Sequence, residues 1–520
     1  MSVANPVLVT TAARRRWTSW LALAGYCALA AAVLHLLTNG RYGYFRDELY
    51  FLACSHHLAA GYVDFAPLSV WLLRAEMFLF GTSLEAIRSF TVLAAAGEVL
   101  LAGGIARALG ARRFGVLLAC LCTLLAPVIV GNDYRFSMNA FEPLFWMGCA
   151  LLLLLALKRD DPKLLPWLGL VAGLGVENKH SMVFFAGAFL VGLLLTPARR
   201  WAKTRWFWLA LAIAFVLVLP NLIWQIQHHW PTWVDLNNVR RLHKNVVLPP
   251  LAFIAQQFRM LNPVSGIVWA AGLIYFFSPR GRKVRALGWA FLAIFLLMLF
   301  LHGKDYYLAP VYPLMFAAGA VAWEAWLSRR RLVWARALLI AAVTATGLLL
   351  LPLSVPVLSI QQFIRYQQAL GLAPTHTESA QAGSTLPQSY SDQFGWRKLV
   401  AAVATVYDSL PPAERADTAI FGGSYGDAGA VDFFGPRYGL PPAISTHQNY
   451  WFWGPRAYTG AHVILLHWPR SSVAAHCSSF TAGPALNDPL AMPEEHYTIW
   501  LCNGFHPALQ TWWRGARNWN

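Results

Sequence analysis

Charge is what this chain has least of. Of its 520 residues 12% are charged against 57% hydrophobic, and mean hydropathy is +0.46. No water-soluble domain needs that balance, so the class is a polytopic membrane protein. Acids are scarcer than bases, at 24 Asp and Glu against 41 Lys and Arg, which leaves a net charge of +17. The excess does not point to nucleic acid, because most basic clusters lie between hydrophobic runs, where the positive-inside rule accounts for them. No A-x-A-like cleavage site follows the first apolar run, 17–37, so that run behind Arg14 to Arg16 is expected to be a retained span rather than a signal peptide. Internal repeats, heptad arrays and long low-complexity segments are also missing.

Hydrophobic runs, by contrast, recur. Spans are expected at roughly 17–37, 86–107, 115–132, 138–157, 164–178, 181–196, 205–224, 251–277, 286–302, 306–327 and 333–356, eleven crossings in all, with the short fifth and sixth open to a re-entrant arrangement. Starting inside, each expected inner loop is basic: Arg112/Arg113, KRDDPK (158–163), PARRWAKTR (197–205), SPRGRKVR (278–285) and SRRRLVWAR (328–336). The expected domains are a membrane domain, 1–356, with a long first outer loop, 38–85, and a soluble tail, 357–520. By the odd crossing count the tail lies outside. In it TAIFGG (418–423), HVILLHWP (462–469) and YTIWLCNG (497–504) read as short buried strands, which predicts a small α/β domain.

Of seven cysteines, Cys27, Cys120, Cys122 and Cys149 fall in spans, where they serve as small apolar fillers. Cys120-x-Cys122 lacks zinc spacing. Cys54 lies in the first outer loop. Cys477 and Cys502 are the two in the tail, a natural disulfide if the tail faces an oxidising compartment.

The first outer loop concentrates what charge there is: RYGYFRDELYFLACSHHLAAGYVDFAPLSVWL, 41–72, holds Asp47, Glu48 and Asp64. Carboxylates are costly in hydrocarbon, so these belong in water or in a polar site. Neighbours on a helix are about 100° apart, so Asp47 and Glu48 cannot serve one role together. The SVWLLRAEMFLF stretch that follows suits a helix lying along the membrane interface.

RDELYF…GYVDFAPLSVWL resembles the first periplasmic loop of the glycosyltransferase family 39 membrane enzymes, relatives of protein O-mannosyltransferases and of the aminoarabinose transferase that modifies lipid A. The resemblance extends to MNAFEPLFW (138–146), GLGVENKHSMVFF (173–185), NLIWQIQHHWPTW (221–233) and HGKDYYLAPVYPLMFAAGA (302–320). In the tail, SYGDAGAVDFFGPRYGLP (424–441) and HQNYWFWGP (447–455) look like the outer domain of bacterial members.

The resemblance implies a GT-C-type fold with a C-terminal periplasmic domain, in a bacterial inner membrane and among its lipids. It implies inverting transfer of a sugar from a polyprenyl-phosphate donor to an acceptor glycan, lipid or protein. Such a transfer needs a carboxylate to take the acceptor's proton, and Asp47 matches the family's loop acid. Glu48 is expected to anchor the loop. Asp64 matches an acid that in some relatives helps organise a metal or the donor; here Phe65 and Ala66 replace the Lys or His and the Pro frequent beside it, which leaves a divalent metal possible and no ligand set assigned. His228 and His229 are adjacent and cannot form the i, i+4 pair of a helical zinc site. Cations should hold the departing lipid phosphate, with Lys304 the leading candidate, Arg135 and Lys179 behind it, and Tyr306 beside it. Glu142 and Tyr307 are expected to touch substrate. The alternative from another class, a lipid-linked sugar transporter or flippase, would line a path through the bilayer with its polar groups, whereas here the acids cluster on one side.

Overall fold

In hydrocarbon an apolar segment can satisfy its peptide groups internally only as a helix. In the computed structural model, which describes residues 19–379 and 383–520, seven helices are long and apolar enough to cross a membrane. Three further runs pass as bent pairs: Arg113–Leu124 with Pro127–Asp133 at 62°, Met182–Leu194 with Pro197–Lys203 at 110°, and Pro250–Arg259 with Pro263–Phe277 at 109°. The chain is a multi-pass membrane protein with seven to ten candidate spans by length and composition. Each bend has the same local cause. A proline opens the second piece, where it has no N–H to continue the first and pushes the residue before it out of helical geometry.

Two expectations need correction. The run 251–277 is not one rod, because Asn262, at φ 72°, and Pro263 break it. The fifth expected span, 164–178, is the 14-residue helix Leu165–Asn178, which reaches about 21 Å, short of the roughly 30 Å of hydrocarbon. Arg14 to Arg16 lie outside the described residues.

Two compact units divide the chain. The first takes residues up to Gly40, with Glu85–Pro220 and Val247–Ser359. Within it Pro263–Phe277 and Tyr312–Arg329 press backbone against backbone. A methyl group on Gly319 would collide with the Val268 carbonyl oxygen, and one on Gly272 with that of Met315. Small residues at such a crossing replace the hydrophobic drive that lipid does not provide.

The second unit takes Arg41–Leu84, Asn221–Val246 and Ile360–Asn520. Its sheet has four strands: β1 (Thr418–Gly422), β2 (His462–Leu466), β3 (Cys477–Ala485) and β4 (Thr498–Phe505), in the order β1-β2-β4-β3. β1 and β2 are parallel, and both pairings of β4 are antiparallel. Three strands are those expected from their apolar runs. The fourth, CSSFTAGPA, was not expected, because an edge strand exposed along most of its length carries no apolar pattern and tolerates its Gly and Pro. Cys477 and Cys502 are disulfide-bonded, tying β3 to β4 across a separation of 25 residues. The other five cysteines are reduced and buried.

Candidate active site

The candidate acids lie in the second unit, on and after the helix Arg46–Ser55. Glu48, in the first turn, bends back to accept the Phe45 backbone N–H at 2.8 Å and is fully buried. It closes the helix end, where a negative charge also meets the positive end of the helix dipole. Asp47, one residue earlier, turns elsewhere. Its side chain is 38% exposed, and its Oδ1 accepts the Tyr425 hydroxyl at 2.8 Å. The Oδ2 has no hydrogen-bond partner among the described residues, so a part-open carboxylate stands with one oxygen available.

Tyr425 stacks on Tyr50 with centroids 4.6 Å apart, and the Tyr50 hydroxyl donates to Asp64 Oδ1 at 3.2 Å. Asn449 holds the same corner: its backbone N–H donates to the Tyr50 oxygen at 3.1 Å, and its side-chain oxygen accepts the Val63 N–H at 3.0 Å. Gln448, the residue before it, donates to Asp235 Oδ1 at 2.9 Å. Burial, reinforced by the Asp235 and Asp47 carboxylates, raises the Asp64 carboxyl well above its ordinary 3.8. The two loop acids thus differ in environment, with Asp47 part-open beside a cation and Asp64 held toward its neutral form. His447 accepts the Tyr425 N–H on Nδ1 at 3.1 Å, and burial, then Lys244, lowers it to about 3, so it stays neutral.

The raised Asp64 carboxyl has a measurable consequence. Because the folded state ionises at higher pH than the unfolded chain, ionisation penalises folding increasingly as pH rises past 3.8 toward the folded value. Asp64→Asn keeps an acceptor for Tyr50 and has nothing to ionise. Its thermal midpoint should match the wild type at about pH 4 and exceed it at about pH 8, by roughly 2–4 °C for each kcal/mol relieved. A gap that does not change with pH would refute the assignment.

Arg46 completes the arrangement. Its Nη1 donates to Glu494 at 2.8 Å and its Nη2 to Glu378 at 3.1 Å, while Asp392 stands 3.9 Å from Nη2 and Asp47 3.8 Å from Nε. Arg46, Tyr50, Asp235, Tyr425 and Asn449 were not singled out from the sequence. The quoted RDELYF, SYGDAG and HQNYW segments contain four of them, so the motif boundaries were the available signal.

The expected cations lie in the first unit and differ in their commitments. Lys179 donates to Glu142 Oε2 and to Asn139 Oδ1, each at 2.7 Å, with its ammonium 4.9 Å from the Tyr307 ring centroid. Ser181 also donates to Glu142. Lys179 and Glu142, both expected site residues, thus form a neutral pair. Arg135 lies 5.9 Å from the Tyr134 ring centroid, and Tyr306 packs edge-on to Tyr307 at 5.1 Å. Lys304 precedes the turn Asp305–Val311, and no carboxylate pairs with it among the described residues. The His228 ring stacks on Trp224, and its Nδ1 lies 2.8 Å from the Trp224 carbonyl oxygen.

Comparison with known proteins puts this arrangement in context. Along 93% of the chain the structure superposes on 98% of ArnT from Cupriavidus metallidurans, with a TM-score of 0.54 in the apo state and 0.57 in the form bound to undecaprenyl phosphate, at 15% and 14% identity. The chain has the fold of a GT-C membrane glycosyltransferase. Residues 64–224 match the family described as dolichyl-phosphate-mannose-protein mannosyltransferase. A curated relative, the lipid A galacturonosyltransferase RgtD of Rhizobium johnstonii, is 29% identical over 273 residues, covering 49% of this chain and 54% of that one. The chain therefore spans about half the length of the curated relative it matches.

Proposed function

We propose that this GT-C protein is an inverting glycosyltransferase that moves a sugar from a polyprenyl-phosphate donor to an acceptor hydroxyl on the periplasmic face of a bacterial inner membrane. The observation that carries the reading is the part-open Asp47 carboxylate, fixed through one oxygen by Tyr425 and presenting the other. The acceptor hydroxyl gives its proton to Asp47 as its oxygen bonds to the anomeric carbon. The bond from that carbon to the phosphate oxygen breaks, its electron pair leaves with the lipid phosphate, and the anomeric configuration inverts. One base suffices for this single displacement, unlike the two-carboxylate retaining scheme of glycosidases.

The Lys304 ammonium, with no carboxylate partner among the described residues, suits the departing phosphate, whose negative charge grows as the bond breaks. Lys179 is a lesser candidate, since Glu142 already neutralises it. The Cys477–Cys502 disulfide fits an oxidising compartment for the tail. The undecaprenyl phosphate bound to a structural neighbour supports a lipid-linked donor, and the likeness to a lipid A galacturonosyltransferase makes a lipid A-type glycolipid the first acceptor to try.

The test is transfer by the purified protein in detergent, supplied with lipid A and a panel of polyprenyl-phosphate sugars, with nucleotide sugars alongside. The expected result is a glycolipid of increased mass with inverted anomeric configuration, from a polyprenyl donor alone. Product formed equally from nucleotide sugars, or retention of configuration, would overturn the reading.

A further inference from the structure

A second cluster of ligating groups lies in the same unit, on the sheet. Parallel β1 and β2 end side by side, and the edge beyond their carboxyl ends is where sheets of this kind hold ligands. Just past β1, Asp427 lies in the first turn of the helix Tyr425–Phe434. Just past β2 comes His467, a non-glycine residue in left-handed backbone geometry at φ 61°. Antiparallel to β2, the start of β4 brings Glu495 and Tyr497 to the same edge.

One ligand atom from each of Asp427, His467 and Glu495 lies within 4.8 Å of the other two. His467 Nδ1 is 3.9 Å from Asp427 Oδ2, too far for a hydrogen bond, and this shielded nitrogen has no hydrogen-bond partner among the described residues. Glu495 is 6% exposed, and its Oε2 is buried with no hydrogen-bond partner. The His467 Nδ1 and the Glu495 Oε2, neither hydrogen-bonded, thus face a second carboxylate, that of Asp427, in a buried corner, an arrangement that costs free energy unless something supplies positive charge. A proton could bridge one pair, but the third group would still lack a donor. A divalent cation meets all three.

Asp427 is oriented as a ligand should be. Ser424 donates to its Oδ2 from the backbone at 3.0 Å and from the hydroxyl at 2.9 Å, and the Tyr497 hydroxyl donates to its Oδ1 at 2.7 Å. A carboxylate offers about four acceptor positions, so roughly one is left for a metal, and such supporting hydrogen bonds fix ligand direction. His467 also borders a cleft of about 190 Å³ shared with Ser424, Arg46, Lys244 and Glu494, through which an ion and its waters can enter.

We propose that Asp427, His467 and Glu495 form a site for a divalent transition-metal cation, clamping the ends of β1 and β2 to the start of β4. One imidazole and two carboxylates suit zinc, whose ligand atoms would close to separations of about 3.4 Å. The site is separate from Asp47 and Asp64 and stands whether or not the transferase reading does.

The experiment is zinc binding by full-length protein in detergent, stripped with chelator and titrated with Zn²⁺ alone. The wild type should bind one equivalent. His467→Ala, at a partly exposed position, and Glu495→Gln, which keeps the side chain's shape, should each bind at least ten-fold more weakly. Asp64→Asn should bind as the wild type does. Zinc should also raise the thermal midpoint of the wild type and leave that of His467→Ala unmoved. No zinc taken up by the wild type, equal affinity in His467→Ala and Glu495→Gln, or loss of binding in Asp64→Asn in their place would each overturn the proposal.

Discussion

Asp47→Asn should lower turnover by about 10²- to 10⁴-fold, the range a lost general base produces, while leaving donor binding within about two-fold of the wild type. The amide keeps the size of the carboxylate, and its oxygen can still accept the Tyr425 hydroxyl, so the geometry survives. What disappears is a place for the acceptor's proton. Donor binding should persist because the phosphate is assigned to cations, Lys304 first among them. The measurement is transfer from a synthetic polyprenyl-phosphate sugar beside equilibrium binding of the same donor. Near-normal turnover would remove Asp47 from the role and leave Asp64 as the remaining loop acid.

Arg46→Ala should destabilise the protein by about 3–5 kcal/mol, the range for breaking a buried ion pair from one side. The guanidinium is buried, and its removal strands Glu378 and Glu494, both bonded to it directly, with Asp392 close by. Burial works against charge on Arg46, but the surrounding acids, Glu378 foremost, outweigh it and hold its pKa well above the ordinary value. Arg46→Lys should recover only part of the loss, because an ammonium cannot present two parallel N–H groups to two carboxylates at once. Thermal unfolding in detergent is the readout. A wild-type midpoint in Arg46→Ala would show that the acids are satisfied without the cation.

These two residues also mark how far the sequence could be read. Helix geometry alone sends the Asp47 and Glu48 carboxylates different ways, and they do meet different partners, the Tyr425 hydroxyl and the Phe45 N–H, because that reading needed only the angle between neighbours. Arg46 stands beside them and was passed over. Its partners are 332 and 448 residues away, and no local pattern announces a pairing of that range. Lys179 shows the same limit, since its partner Glu142 lies 37 residues away. The strands β1, β2 and β4 were legible as apolar runs, whereas β3 lies on an edge and is patterned by its exposure. The break at Asn262-Pro263 was legible in principle, for that dipeptide is a turn signal, but the apolar residues on both sides masked it.

The state of the cysteines has a practical side. All five reduced thiols are buried, and the remaining two are consumed by the bond between β3 and β4. A maleimide-linked dye or spin label therefore meets little competing sulfur in the folded protein, and native cysteines need not be removed before one is introduced. Thr82, a polar residue exposed just past the helix Leu68–Phe80, is a natural attachment point. A fluorophore carried there would report spectroscopically on the segment 41–84 as a lipid-linked donor is added, provided the sample is handled without reductant.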